Sequence, residues 1–168
     1  MVPGYFGIGT AGVVVLGPDY ETSNNLLSAV QAQLDTMAVP GLRAISLAAT
    51  KVQVDFEMQL STTRELSTAT KRQLEADLRR VLKNALRSVQ IGTSITLREL
   101  ETSVFENARS VLKMGRREGS DVRMFKNVFL RRGSAVGIMS EREQLLATSI
   151  NLEPTEFLDI GTVEFSYQ

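Results

Sequence analysis

Cysteine, histidine and tryptophan are absent from the 168 residues, and only four prolines are present. Without cysteine there is no disulfide and no thiolate nucleophile. Without histidine there is no imidazole base, and no Cys/His metal site can form. A bound metal would have to be a hard cation on oxygen ligands. Long apolar runs are missing too. The longest near the start, Ala11 to Leu16, is interrupted at Gly12 and followed by Gly17 and Pro18, far short of the roughly 20 residues that span a bilayer. Met1-Val2-Pro3-Gly4 carries no basic residue, so no secretory leader is expected and synthesis in a cytoplasm is. Nineteen basic and nineteen acidic residues cancel, so neither sign of charge prevails. What remains, 43% hydrophobic, suits one globular domain with a core that needs no metal or cross-link.

The prolines Pro3, Pro18, Pro40 and Pro154 fall beside or between periodic segments, where a locked φ and a missing N–H do least harm. Val13-Val14-Val15-Leu16, between Gly12 and Gly17, reads as a buried strand. A helix is expected next, capped by Thr22 or Ser23, with Leu26, Leu27, Val30 and Leu34 on one face up to the Pro40-Gly41 stop. Residues 43–49 suggest another strand. The strongest pattern is 51–60: Val52, Val54, Phe56, Met58 and Leu60 point one way, while Lys51, Gln53, Asp55, Glu57 and Gln59 point the other. Five side chains at period two cannot share a helix face. Their burial contributes on the order of 10 kcal/mol gross, an upper bound before chain entropy.

Residues 68–88 form an amphipathic helix with Leu74, Leu78, Val81, Leu82, Ala85 and Leu86 inward, and Glu75 and Arg79 stand at i, i+4. A second helix is expected from Leu97 to Ala108, with Leu100, Val104 and Phe105 inward. Thr162 to Tyr167 alternates as a terminal strand. Residues 121–132 fit both periods poorly and are read as a strand over 125–131. Ser140-Glu141-Arg142-Glu143 spells a capping box, so a short helix or turn is expected near 141–146.

Four patterns bear on chemistry. Gly7-Ile8-Gly9-Thr10-Ala11-Gly12 is literally G-x-G-x-x-G, but a strand run and not a helix follows it. A glycine-rich lead-in to a strand is the better reading than a pyrophosphate site. The carboxylate pairs Asp55 and Glu57, Glu99 and Glu101, and Glu141 and Glu143 could serve acid–base or metal chemistry; each is more simply the wet side of an amphipathic element. Ser110-Val111-Leu112-Lys113 matches S-x-x-K without its companion motifs. Lastly, charge is segregated. Residues 1–70 carry three basic and six acidic groups, 71–132 fifteen and seven, and 133–168 one and six. The excess concentrates in Arg109, Lys113, Arg116, Arg117, Arg123, Lys126, Arg131 and Arg132, a candidate assembly surface. The alternatives are a nucleic-acid footprint over 109–132, with only Phe125 and Phe129 near to stack on bases, or a solvated face.

The order of elements carries a resemblance. An alternating strand (Val52-Gln-Val-Asp-Phe-Glu-Met) leads into the long helix Thr68 to Ser88. Val89-Gln-Ile-Gly-Thr-Ser-Ile-Thr-Leu-Arg-Glu-Leu100 follows, with a helix beginning inside it. Ile150-Asn-Leu-Glu-Pro-Thr-Glu-Phe-Leu-Asp-Ile-Gly-Thr-Val-Glu-Phe165 closes the chain. Together these resemble the baseplate J-like family, wedge proteins of contractile-tailed phages and related contractile injection systems. That family has a V-x-V-x-V strand before a helix, an l-x-x-G turn and a closing p-x-E-f-x-x-l-G-x-v-x-v segment. The opening Pro3 to Val15 is compatible with the strand before its first α/β unit. Arg109-Ser-Val-Leu-Lys-Met-Gly115 matches its next strand loosely.

The resemblance implies a structural bacteriophage-type virion protein of the tail baseplate, made in the host cytoplasm. It would assemble with copies of itself and with other baseplate or tail proteins. It implies no enzyme activity, no cofactor and no membrane insertion. The fold expected is α+β over residues 1–168, an antiparallel or mixed sheet with two to three amphipathic helices packed on it. The 52–60 strand is its principal member, the helices near 23–36 and 70–88 cover one face, and residues 133–168 can be set apart as a C-terminal β extension. The alternative is a nucleic-acid-binding module using the basic segment 109–132.

Overall fold

The computed structural model describes residues 2–3, 9–37, 39–62, 65–108, 116–117, 120–121, 124–133 and 138–167, and all structural statements concern these. The chain runs β1 (Val2–Pro3), β2 (Thr10–Val15), α1 (Asn24–Thr36), β3 (Arg43–Ala48), β4 (Thr50–Leu60), α2 (Thr68–Arg87), β5 (Ser94–Thr96) and α3 (Leu97–Ala108). It continues with β6 (Arg116–Arg117), β7 (Ser120–Asp121), β8 (Phe125–Arg132), β9 (Glu143–Gln144), β10 (Ser149–Asn151) and β11 (Glu156–Tyr167). The fold is α+β with mixed sheets.

β4 lies inside a four-stranded sheet of order β11-β4-β8-β9, parallel to β11 and antiparallel to β8. Its alternation sets Val52, Val54, Phe56, Met58 and Leu60 against Leu74, Leu78, Leu82 and Leu86 of α2 and Leu100, Val104 and Ala108 of α3 in one buried cluster. The α2 leucines repeat every four residues, so they stack in one row along the helix. Both helices start on local caps. Ser67 Oγ accepts the Thr70 N–H at 3.2 Å. Thr96 and Glu99 exchange backbone N–H bonds with each other's side chains at 2.7 and 3.2 Å, a capping box.

Both neighbours of β4 contain a bulge that reverses the side-chain phase. In β11, Ile160 pairs with Val54 and Val163 with Phe56, so Gly161 and Thr162 together face Asp55. Leu158 and Ile160 before the bulge, and Val163, Phe165 and Tyr167 after it, therefore all reach the core. In β8, Asn127 pairs with Glu57 and Phe125 with Met58, leaving Lys126 as the extra residue. Val128 and Leu130 share the core face with Phe125, whose ring centroid lies 5.0 Å from that of Phe56.

Three sequence expectations need correction. α1 does not cover the principal sheet. It packs on β3, which pairs in parallel with β2 in a separate three-stranded sheet, and no α1 residue is buried. The chain changes sheets at Ala49, so the short 37–42 connection ties α1 to the first sheet, and α3 takes the place beside α2. Phe105 is half-buried, because the inward row of α3 is Leu100, Val104, Ala108 and Phe105 lies one residue round the helix from it. There is no helix near 141–146 either, where Glu143–Gln144 pairs with β8 as β9. Ser140 Oγ instead accepts the Arg132 N–H at 2.8 Å, so the hydroxyl serves the sheet. Among the described residues no helix is long and apolar enough to cross a membrane.

Candidate functional site

The alternation that buries Val54 and Phe56 turns Asp55 and Glu57 to the opposite face of the sheet. Asp55 is nevertheless only 2% exposed. Arg131, one strand over on β8, donates through Nε and Nη2 to its two oxygens at 3.1 and 2.9 Å. This fork geometry makes a strong charge-assisted pair. The Thr162 N–H, freed by the β11 bulge, adds a third bond to Oδ1 at 2.6 Å. Arg142 spans the two acids, 3.6 Å from Asp55 Oδ2 and 3.5 Å from Glu57 Oε1. Its guanidinium lies 3.8 Å from the centroid of the Phe129 ring, within cation–π range. Glu57 also accepts from Asn127 Nδ2 at 2.6 Å, and Asn127 Oδ1 accepts from Gln144 Nε2 at 3.0 Å. The face is thus a closed network of ions and amides laid across β4, β8 and β9.

The residues of the candidate basic surface separate. Arg131 is bound to Asp55 as above. Arg132 pairs with the buried carboxylate of Glu156 and donates to the Asn151 carbonyl at 3.2 Å. Lys126 is exposed on the β8 bulge. Arg116 and Arg117 form β6, paired antiparallel with β7. Arg109, Lys113 and Arg123 lie outside the described residues, as do Ser110 and the rest of the S-x-x-K match. Two of the eight cations are therefore internal ties between strands.

The other patterns resolve locally. Gly9 has φ +78° and β2 begins at Thr10, with Gly12 inside that strand; Gly7 and Ile8 are not described. The Glu99 carboxyl sits below its ordinary range because the Thr96 backbone and hydroxyl bond its charged form. Glu101 accepts the Phe125 N–H at 3.3 Å, while Glu141 and Glu143 are exposed. Among the described residues no three metal-ligating side chains gather. Between α2 and α3 an open depression of about 280 Å³ is lined by Val81, Asn84, Ala85, Ser88, Ser103 and Asn107, none of them titratable.

Sequence reasoning missed a second constellation, where Arg87 ends α2. Its Nε and Nη2 bind Asp159 of β11 at 2.9 and 3.3 Å, and its guanidinium stacks 4.0 Å from the Tyr20 ring centroid. Burial pushes the Asp159 carboxyl up, but the Arg87 bonds, the Ile160 N–H and the charges of Arg87 and Lys51 outweigh it and hold it below its ordinary value. Tyr20 also packs on Phe157 and, among the described residues, is the non-glycine residue with positive φ, +59°. The expected Glu75–Arg79 pair turns to β11 instead. Glu75 accepts from the Tyr167 hydroxyl at 3.0 Å, and Arg79 donates to the Val163 carbonyl at 3.1 Å while covering Phe165. No sequence spacing signals these ties, since the partners lie 72 to 92 residues apart.

Large apolar side chains stand in water at the turn between α1 and β3, where Met37 is 75%, Val39 63% and Leu42 47% exposed. Compared with known proteins, the chain matches no family model and no curated sequence. In chemical terms, Asp55, Glu57, Glu99 and Glu101 are engaged by guanidinium, amide, hydroxyl and backbone groups, while Glu141, Glu143 and the apolar tip lie open at the periphery.

Proposed function

We propose that this chain is a structural subunit of a contractile-tail baseplate, a wedge protein that binds copies of itself and neighbouring tail proteins. The observation that carries the reading is the succession of β4, α2, the Gly92 turn, α3 and the closing β11, in the order that the baseplate J-like resemblance implies. β11 lies parallel against β4 and both pack with α2 in one core, which suits a rigid block meeting others through its surfaces. The occupied state of Asp55 and Glu57 and the exposed Met37, Val39 and Leu42 support work by contact. A stable contact of this kind would bury more than about 1,000 Å² in total.

The test is co-assembly. The tagged chain is expressed with a contractile-tail gene cluster, the particles are purified, and its incorporation is measured. Stoichiometric recovery in the particle is expected. A purified chain that stays monomeric and neither enters nor binds any such particle ends the proposal.

A further inference from the structure

Among the described residues β3 is the outer strand of the three-stranded sheet, with β2 on one side only. The Arg43 and Ala49 N–H groups bond to Gly9 and Val15 on the β2 side, at 2.8 and 3.1 Å. Backbone groups of a parallel strand alternate sides, so Ala44, Ser46 and Ala48 turn theirs to the outer edge. Such an edge is a template for another strand unless charge, proline or cover blunts it. Here neither charge nor proline occurs between Arg43 and Lys51. Among the described residues one side chain fills the slot. Gln31 of α1 accepts the Ser46 N–H at 2.8 Å and donates to the Ala44 carbonyl at 3.1 Å, the two bonds that a neighbouring strand would make. Asp35 accepts from the same Nε2 at 2.8 Å and so fixes which way the carboxamide faces. The Ser46 hydroxyl donates to the Leu27 carbonyl at 3.2 Å, and no α1 side chain is fully buried to anchor the helix more firmly.

The occupant that the edge fits is itself. Ala44-Ile45-Ser46-Leu47-Ala48 reads small, large, small, large, small in both directions. An antiparallel pair of two such strands centred on Ser46 sets Ala44 opposite Ala48 and Ile45 opposite Leu47. It also makes the three outward residues the hydrogen-bonded positions. We propose that the β3 edge is an assembly surface for a second copy of this chain, joined by antiparallel β3–β3 pairing, and that the Gln31 carboxamide is the stopper that closes it in the monomer. This stands apart from the wedge reading, because it concerns the chain alone in solution.

Sedimentation velocity on the whole chain at micromolar concentration tests it, with folding followed by far-ultraviolet circular dichroism. The wild type is expected as a monomer and Gln31→Ala with its weight-average mass doubled. The double variant Gln31→Ala/Ala44→Pro, which removes an outward N–H from the edge, is expected to return to monomer. A folded, monomeric Gln31→Ala overturns the proposal. So does a wild-type dimer, or a dimer that survives Ala44→Pro. Should Gln31→Ala fail to fold, Gln31→Glu decides. It keeps the Ser46 bond but sets a carboxylate against the Ala44 carbonyl and Asp35, so partial dimerisation is expected and a strict monomer overturns the idea.

Discussion

Oδ1 of Asp55 lies 2.1 Å from the point where a side chain on Gly161 would begin, and Arg131 Nη2 lies 3.2 Å from it. The β11 bulge and the buried ion pair are therefore one device. The glycine leaves room for the carboxylate, and the bulge frees the Thr162 N–H that bonds it. In Gly161→Ala the carboxylate must leave and Arg131 loses its partner. A loss of about 3 kcal/mol is expected in urea denaturation, the scale of overpacking and of a broken buried pair. Asp55→Gly in that background should recover part of it. A double variant whose losses simply add would show the two positions to be independent.

Asp159 predicts the acid limb of stability. Its carboxyl titrates below the ordinary value in the fold, so the unfolded chain binds a proton more readily there. The stability that this difference supplies is present above the unfolded value, about 3.9. It is lost as pH falls from there through the depressed folded value. Asp159→Asn should lower stability at neutral pH and flatten the fall between about pH 5 and 3. Unfolding curves across that range, compared with wild type, measure it; parallel curves would show that Arg87 and Asp159 contribute nothing through charge.

β4, α2 and α3 were legible in the sequence because each keeps one period from end to end, and Ser23 was legible as a cap, accepting the Leu26 N–H at 3.2 Å. β8 was legible as a strand over 125–131 but not in which side chains face inward, and the first half of β11 was not legible. Each bulge flips the phase, so Phe125, Val128 and Leu130 share a face that no fixed period connects. Thr96-Leu-Arg-Glu99 and Ser140-Glu-Arg-Glu143 spell the same capping pattern. Only the first caps a helix, because Leu97, Leu100 and Val104 follow it at helical spacing. The outer-face network was half visible: Asp55 and Glu57 could be placed on one face, but not the arginines that hold them. Arg131 is 76 residues from Asp55 and Arg132 24 from Glu156, so a count of charge along the chain takes internal ties for free surface.

Tyr167 predicts the alkaline limb. Burial, and then its bond to Glu75, push the phenol up to about 12. A raised folded value means that the stability it supplies is whole below the unfolded value of about 10 and fades as pH rises from there through the folded value. Tyr167→Phe should remove that step and leave the curve below pH 9 nearly flat relative to wild type. Phenolate absorbance in the folded protein gives the direct check. A Tyr167 that ionises near its ordinary value would mean that the Glu75 contact does not persist in solution.

The apolar tip separates folding from contact. Met37, Val39 and Leu42 are 75%, 63% and 47% exposed, whereas Leu78 is 1% exposed among the packed leucines of α2. Leu78→Ala removes buried methyls and leaves a cavity, so a loss of about 3 kcal/mol is expected, which lowers Tm by roughly 6–12 °C in a chain of this size. The triple change Met37→Ser, Val39→Ser and Leu42→Ser removes side chains already in water, and each should shift stability by no more than about 0.5 kcal/mol. Calorimetry on both variants reads this directly. Contact should respond the other way. A chain that works by meeting other proteins through this tip keeps its Tm in the triple variant but loses its place in the particle, while Leu78→Ala, folded at low temperature, still enters. Incorporation of the triple variant at wild-type level would take Met37, Val39 and Leu42 out of the assembly surface and leave the charged faces to account for it.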